Sequence, residues 1–294
     1  MKSGFVAVVG RPNVGKSSLV NRLVGHKVAI TSTRPQTTRT VVRGIANDPG
    51  GAWQLVVIDT PGFHKPKVEL GSRLNRLVQA NLTDADVICV VIEATEAIGP
   101  GDRMIVTRAL ESNRPVVMAV NKIDRASPEQ VAAQLSTAAT WSLAAYVPVS
   151  AVTGEGIDEL LAELISLLGD GPAHFPAGMH SDLSESEMVA EIVREKFLDL
   201  LREELPHSLH VVVRSLTHED ALIRIEADVL VERESQKGIV IGRGGTMLGL
   251  GGSAARIDLE QTLGKQVFLD LRVRVEPDWQ SKPLVLDRLG FKNR

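Results

Sequence analysis

A single cysteine in 294 residues, Cys89, rules out an internal disulfide framework. It stands in the apolar run DVICVVIEA, where a small buried hydrophobe is the expected role rather than a reactive thiol. Long apolar runs are missing too. The stretch from Val87 to Ile92 falls far short of the roughly 20 residues that span a bilayer, and no basic N-terminal segment leads into a signal-type apolar core. The expectation is a soluble, cytosolic protein. Neither sign of charge dominates, since 33 Lys+Arg face 36 Asp+Glu. Their distribution is uneven: 17 basic and 16 acidic residues over 1–181, 6 and 14 over 182–235, and 10 and 6 over 236–294. The last segment is therefore the best candidate for an anion-facing surface, although the same balance suits an ordinary solvated face.

The length suits two domains, each large enough to bury its own core. Val- and Ile-rich runs at 5–9, 55–58, 87–92, 116–120 and 146–149 read as strands buried on both faces. Helix-like segments lie between them, including Ser17 to Val24, Met104 to Glu111 and Ile157 to Leu168. Alternating strand and helix predicts a doubly wound α/β sheet over residues 1–168. The stretch GDGPAHFPAGMHS has two Pro, three Gly and no periodicity, and reads as a linker over 169–185. A smaller α+β domain is expected over 186–294. It opens on an amphipathic helix from Ser186 to Leu205 ended by Pro206, followed by strands at 209–215 and 222–232. GIVI, the turn GRGG, a further helix and the strand KQVFLDLRVRV complete it.

Five short motifs occur in one order, and each suits one part of a guanine nucleotide. Gly10, Arg11, Pro12, Asn13, Val14, Gly15, Lys16 and Ser17 form a Walker A loop. Its glycines let backbone amides approach phosphates, Lys16 neutralises β and γ oxygens, and the following helix presents its positive end. PQTTR surrounds Thr38; Asp59, Thr60, Pro61 and Gly62 form DTPG, with Phe63 next. Ser17, Thr38 and Asp59 are the candidate Mg²⁺ residues, and the Gly62 amide can reach a γ-phosphate. Asn121, Lys122, Ile123 and Asp124 form NKID, in which the Asp124 carboxylate can accept guanine N1–H and the exocyclic amine while Asn121 bonds the other edge. Adenine would leave that carboxylate unpaired, a strong basis for discrimination. Ser150 and Ala151 supply a backbone amide for guanine O6.

These motifs, with DTPGFHKP, VSAVTGEGID, EELPHS and VIGRGG, make the chain resemble the Era family of bacterial GTPases along nearly its whole length. The resemblance implies a P-loop NTPase domain followed by a type II KH-like RNA-binding domain. It also implies GTP and GDP as ligands, the 3′ end of 16S rRNA as partner and a role in small ribosomal subunit assembly. Gly242, Arg243, Gly244 and Gly245 are then the turn that clamps an RNA backbone. Segment 246–252 departs from the pattern, with no Lys or Arg and with glycines that cost a helix about 1 kcal/mol each. Phe63 stands where many GTPases carry a water-orienting Gln, and no residue is assigned a catalytic role. Asn13 resembles the Asn of potassium-activated relatives, so K⁺ binding and simple loop stabilisation are both open for it. The expectation is a monomer, with peripheral attachment to the inner face of the cell membrane left open. Two other readings are an RNA-binding assembly factor with a structural nucleotide, and a GTPase partner of an RNA-modifying enzyme.

Overall fold

The computed structural model describes every residue except 33, 35–36, 63–65, 67, 202–204 and 292–294. Its chain contacts divide into two compact units. The first comprises 1–31, 38–66 and 71–182, and the second 32–37, 67–70 and 183–294.

In the first region the elements run β1 (Lys2–Gly10), α1 (Lys16–Val24), β2 (Val42–Asn47), β3 (Trp53–Asp59), α2 (Glu69–Asp84), β4 (Val87–Glu93) and α3 (Pro100–Glu111). They continue with β5 (Val116–Asn121), α4 (Pro128–Ala138), β6 (Ala145–Pro148) and α5 (Ile157–Ser166). Six strands form one sheet in the order β2-β3-β1-β4-β5-β6. The strand period of two divides the core cleanly. In β4, Val87, Cys89 and Val91 pack on one face with Leu19, Leu160 and Leu164 of α1 and α5. Ile88, Val90 and Ile92 face the other way, towards Val78, Leu82, Ile105 and Ala138 of α2, α3 and α4. Both faces are buried, which explains the unbroken apolar run. Cys89 is fully buried, and burial pushes its thiol up to about 12, so it is chemically quiet at neutral pH.

The doubly wound sheet departs from the expected parallel pattern at one strand. β2 pairs antiparallel with β3, and Arg43, Gly44 and Asn47 break the apolar run that would have announced it. Only one of its sides pairs with a strand, so its other edge needs cover. Part of the expected linker supplies it. Ile45 N–H donates to the His180 carbonyl at 2.9 Å, Asp182 N–H to the Arg43 carbonyl at 3.2 Å, and Arg43 pairs with the Asp182 carboxylate at 2.8 Å. The buried Gln54 side-chain oxygen accepts from the His174 and Phe175 amides at 2.7 and 3.0 Å. As far as Asp182 this Gly- and Pro-rich stretch is therefore a strap on the first unit, its lack of periodicity reflecting backbone rather than side-chain packing.

The second region runs α6 (Glu185–Leu200), α7 (Leu205–Ser208), β7 (His210–His218), β8 (Leu222–Val231), α8 (Glu234–Ile241), α9 (Thr246–Leu263), β9 (Gln266–Val275) and α10 (Pro283–Arg288). β7 and β8 are antiparallel, β8 and β9 parallel. Helix α6 begins on a capping box in which the Ser184 hydroxyl accepts the Glu187 amide and the Glu187 carboxylate accepts the Ser184 amide. It ends at Leu200, short of the expected Leu205, because Leu201 already has extended backbone (ψ 155°), and Pro206 belongs to α7. Val189, Val193 and Phe197 of α6, Ala255 and Leu259 of α9, and Ile223, Ile225 and Val229 of β8 share one buried cluster. Among the described residues, no helix is long and apolar enough to cross a membrane.

The glycines of α9 have two different uses. A Cβ on Gly251 would stand 2.7–3.1 Å from the Phe197 ring, so this glycine lets α9 settle onto α6. A Cβ on Gly249 would meet nothing within 4 Å. Gly251→Ala should consequently destabilise the protein by about 1–3 kcal/mol through overpacking, despite the better helix propensity of alanine. Urea unfolding followed by helical circular dichroism checks it, and equal or greater stability would show that the Phe197 contact does not constrain position 251.

Candidate nucleotide site and glycine-turn groove

The end of β1 delivers Gly10 to the Walker loop, and α1 starts at Lys16. Asn13 and Gly15 both have left-handed backbone, φ +67° and +97°. Such residues turn successive amides into one concavity, the geometry of an anion nest. Lys16 is buried, and its ammonium donates to the carbonyls of Arg11 at 2.8 Å and Gly10 at 3.2 Å. Burial lowers its pKa to about 8, with the nearby Asp59 charge working in the opposite direction. Arg11 leans away from the loop and pairs with Asp102 at 2.8 Å and Glu96 at 3.0 Å, which anchors the loop to α3.

Three oxygen-bearing side chains converge beside Lys16. The Ser17 hydroxyl donates to the Asp59 carboxylate at 2.7 Å, Thr38 Oγ1 lies 2.9 Å from Ser17 Oγ, and Thr38 donates to the same carboxylate oxygen at 3.2 Å. Asp59 is fully buried. Two hydroxyls around one carboxylate form a hard-oxygen donor set, which suits Mg²⁺ shared with phosphate oxygens. Groups of three or more His, Cys, Asp and Glu fit for a metal do not occur among the described residues. Thr60 donates to the Val8 carbonyl at 2.7 Å, and a Cβ on Gly62 would stand 2.9 Å from Pro12 N, so Gly62, after Pro61, lies directly against the Walker loop. The reading of Phe63 falls outside the described residues.

At the base side, the Asn121 amide ties two loops together. Its nitrogen donates to the Val14 carbonyl at 2.8 Å, and its oxygen accepts the Ala151 amide at 3.1 Å. Asn121, expected on a base edge, and Ala151, expected as an amide donor, are thus bonded to each other in this structure. One Asn121 N–H is left for a ligand. Asp124 is oriented by Ser150, whose fully buried hydroxyl donates to Asp124 Oδ1 at 2.6 Å and accepts the Thr153 amide at 3.0 Å. Ile123 N–H is fixed on the Val149 carbonyl at 3.3 Å. Lys122 has left-handed backbone, φ +67°, and its ammonium meets Glu93 at 2.6 Å. Sequence reading missed Glu93 and Asp102, because nothing local marks an acid as the partner of a distant cation.

In the second unit, Gly242 has φ +76° and a Cβ there would stand 2.7 Å from Met247 N. Arg243 to Gly245 form one tight turn, with Gly244 at φ +62° and Gly245 at φ +83°. Arg243 and Gly244 are exposed. An open groove of about 420 Å³ starts at Gly245 and runs along α9 past Leu248, Gly249, Gly252, Ser253 and Arg256, with Leu269 and Leu271 of β9 as its opposite wall. Positions 245, 249, 252 and 256 fall on one helix face by their spacing. The bare segment 246–252 thus has a cation after all, one turn further on, which a seven-residue reading could not include.

The five separated motifs therefore meet at the carboxyl end of one sheet, and comparison with known proteins agrees. Residues 5–122 match the family model of 50S ribosome-binding GTPases, and 204–280 match the KH domain. GTPase Era of Mycobacterium avium is 49% identical over 99% of both chains, and that of Mycobacterium tuberculosis is 49% identical over 98% of both. A crystal structure of an Aquifex aeolicus Era variant bound to GDP and AlF4⁻ superposes with a TM-score of 0.95 at 39% identity, covering 99% of each chain. Another, of Era with MgGDPNP and nucleotides 1506–1542 of 16S ribosomal RNA, gives the same score, identity and coverage.

Asp124→Asn should weaken GTP binding and favour xanthosine triphosphate, because the amide donates where guanine also donates. Competition binding with the two nucleotides checks it, and unchanged GTP affinity would refute the role of Asp124.

Proposed function

Because the chain belongs to the Era family of GTPases, we propose that it is a GTP-hydrolysing switch that binds the 3′ end of 16S rRNA and acts in small ribosomal subunit assembly. The observation that carries the nucleotide half is the convergence of Lys16, Ser17, Thr38 and Asp59 beside the Walker loop, with Asp124 on the neighbouring base loop. Mg²⁺ would be held by Ser17 and Thr38 with Asp59 behind them, and would supply positive charge to the phosphates. Lys16 exchanges its two carbonyl partners for phosphate oxygens, and the adjacent anion favours its charged form. Gly62 offers its amide towards the γ-phosphate, and Asp124 reads the guanine edge. Residues 1–168 form the nucleotide domain, with the strap of 169–182 packed on it, and 186–294 form the RNA domain of a cytoplasmic monomer.

The RNA half rests on the glycine turn and its groove. Gly242 to Gly245 allow close approach of a backbone, Arg243 supplies a cation, and Gly249 and Gly252 on α9 leave room for bases against Leu269 and Leu271. Arg256 closes the far end. Gly244→Asp is the sharpest test. Asp tolerates left-handed backbone and a Cβ there meets nothing within 4 Å, so the fold survives while a negative charge enters the phosphate path. The variant should bind a 16S 3′-end oligonucleotide at least tenfold more weakly and keep its GTP affinity. Equal RNA binding would remove the turn from the interface.

Asn13, which has φ +67° in the Walker loop, would help hold a monovalent cation near the phosphates. Such a charge substitutes for an arginine finger. Hydrolysis should then run faster in K⁺ than in Na⁺, and Asn13→Ala should abolish the difference. Equal initial rates of phosphate release from the parent protein in both salts would leave Asn13 a purely structural residue.

A further inference from the structure

Lys122 is held at both ends by features that the five motifs do not contain. Its backbone is left-handed, φ +67°, a conformation that an L-residue without special cause avoids. Its ammonium lies 2.6 Å from Glu93 Oε2, at the last residue of β4. The other oxygen of that carboxylate, Oε1, accepts the Thr95 hydroxyl at 2.7 Å. Both oxygens are thus committed, and the carboxylate cannot swing away without losing two bonds. Burial disfavours ionisation of Glu93, yet the hydrogen bonds from Lys122 and Thr95, with the charges of Lys122 and Arg11, hold its carboxyl below the ordinary carboxylate range. Arg11 in turn belongs to the Walker loop and is neutralised by Asp102 and Glu96.

We propose that Glu93 is a positioning residue for guanine recognition: by anchoring the Lys122 ammonium it stretches the lysine stem into a fixed apolar rail along which the base ring lies. The inference rests on the assignment of NKID as the base loop. Lysine is among the side chains with most rotamer freedom to lose, and an unanchored stem must be ordered each time a nucleotide binds. The anchor is local and does not reach the γ-phosphate. Its loss therefore weakens GDP and GTP alike and leaves the chemical step alone.

The test is a double-mutant cycle on the full chain with Glu93→Gln and Lys122→Met, reading GDP and GTP dissociation constants and steady-state hydrolysis. Glu93→Gln should raise both dissociation constants and KM about five- to tenfold, with kcat at saturating GTP unchanged. Glu93→Asp should recover part of the affinity. In a Lys122→Met background, Glu93→Gln should have no further effect, whereas a general weakening of the fold would add to it. Unchanged affinity in Glu93→Gln, full additivity, or a fall in kcat without a rise in KM would each overturn the proposal. Asp124→Asn with xanthosine triphosphate runs alongside: a base switch there with no Glu93 effect defeats this inference alone, while no base switch defeats the base-loop assignment itself. Should Glu93→Gln fail to fold, Thr95→Val releases one of the two bonds that fix the carboxylate, and it should show a smaller loss of the same kind; no loss would count against the anchor.

Discussion

The buried amide of Asn121 is the contact on which the nucleotide site depends. It bridges the Val14 carbonyl of the Walker loop and the Ala151 amide of the last motif, so that phosphate and base loops share one side chain. The bridge also dictates the glycine at position 15. That residue needs left-handed backbone, φ +97°, and a Cβ on it would lie 2.3 Å from the Asn121 nitrogen. Gly15 is therefore required twice, once by its dihedral angle and once by its neighbour. A bridge of this kind makes the two halves of the pocket hard to displace independently, because moving either loop leaves a buried amide unsatisfied.

Around that bridge, polar side chains are consistently spent on aligning other polar side chains. Ser150 aims Asp124, Glu93 holds Lys122, Asp102 and Glu96 draw Arg11 aside, and Ser17 and Thr38 share one oxygen of Asp59. The candidate ligand-facing groups are thus oriented by contacts within the protein, an arrangement that lowers the ordering cost of binding. The second unit uses the opposite device. Its groove is made by leaving side chains out, with Gly245, Gly249 and Gly252 clearing one face of α9 while Gly251 serves the packing on Phe197. Glycines that would weaken an isolated helix are here the condition for two different surfaces.

Much of the site was legible because its motifs are contiguous and their chemistry is backbone-driven. A Walker loop places its lysine and serine by local geometry, and the strand that ends in Asp59 needs only its apolar run to be seen. The two-faced burial of β4 follows equally from local pattern, whereas α6, expected from Ser186, starts one residue earlier at Glu185 behind the Ser184 cap. β2 was hidden because its partners are β3 and the 180–182 backbone that covers its edge, neither of which its own residues announce. The end of α6 was overestimated because amphipathic spacing continues past the point where Leu201 turns to extended backbone.

The sequence by itself determined two separate cores, the order of the nucleotide motifs and the candidate residues for phosphate and base, since these depend on periodicity and on local backbone chemistry. Only the tertiary structure decided that Asn121 spans two loops, that Glu93 is the counter-ion of Lys122, that the strap as far as Asp182 covers β2, and that Arg256 shares a groove with a glycine turn more than ten residues before it. The physical reason is the same in each case. These contacts join groups whose partners lie far off along the chain or on another element, and no local propensity encodes which of many chemically equivalent acids, cations or carbonyls will be brought within reach.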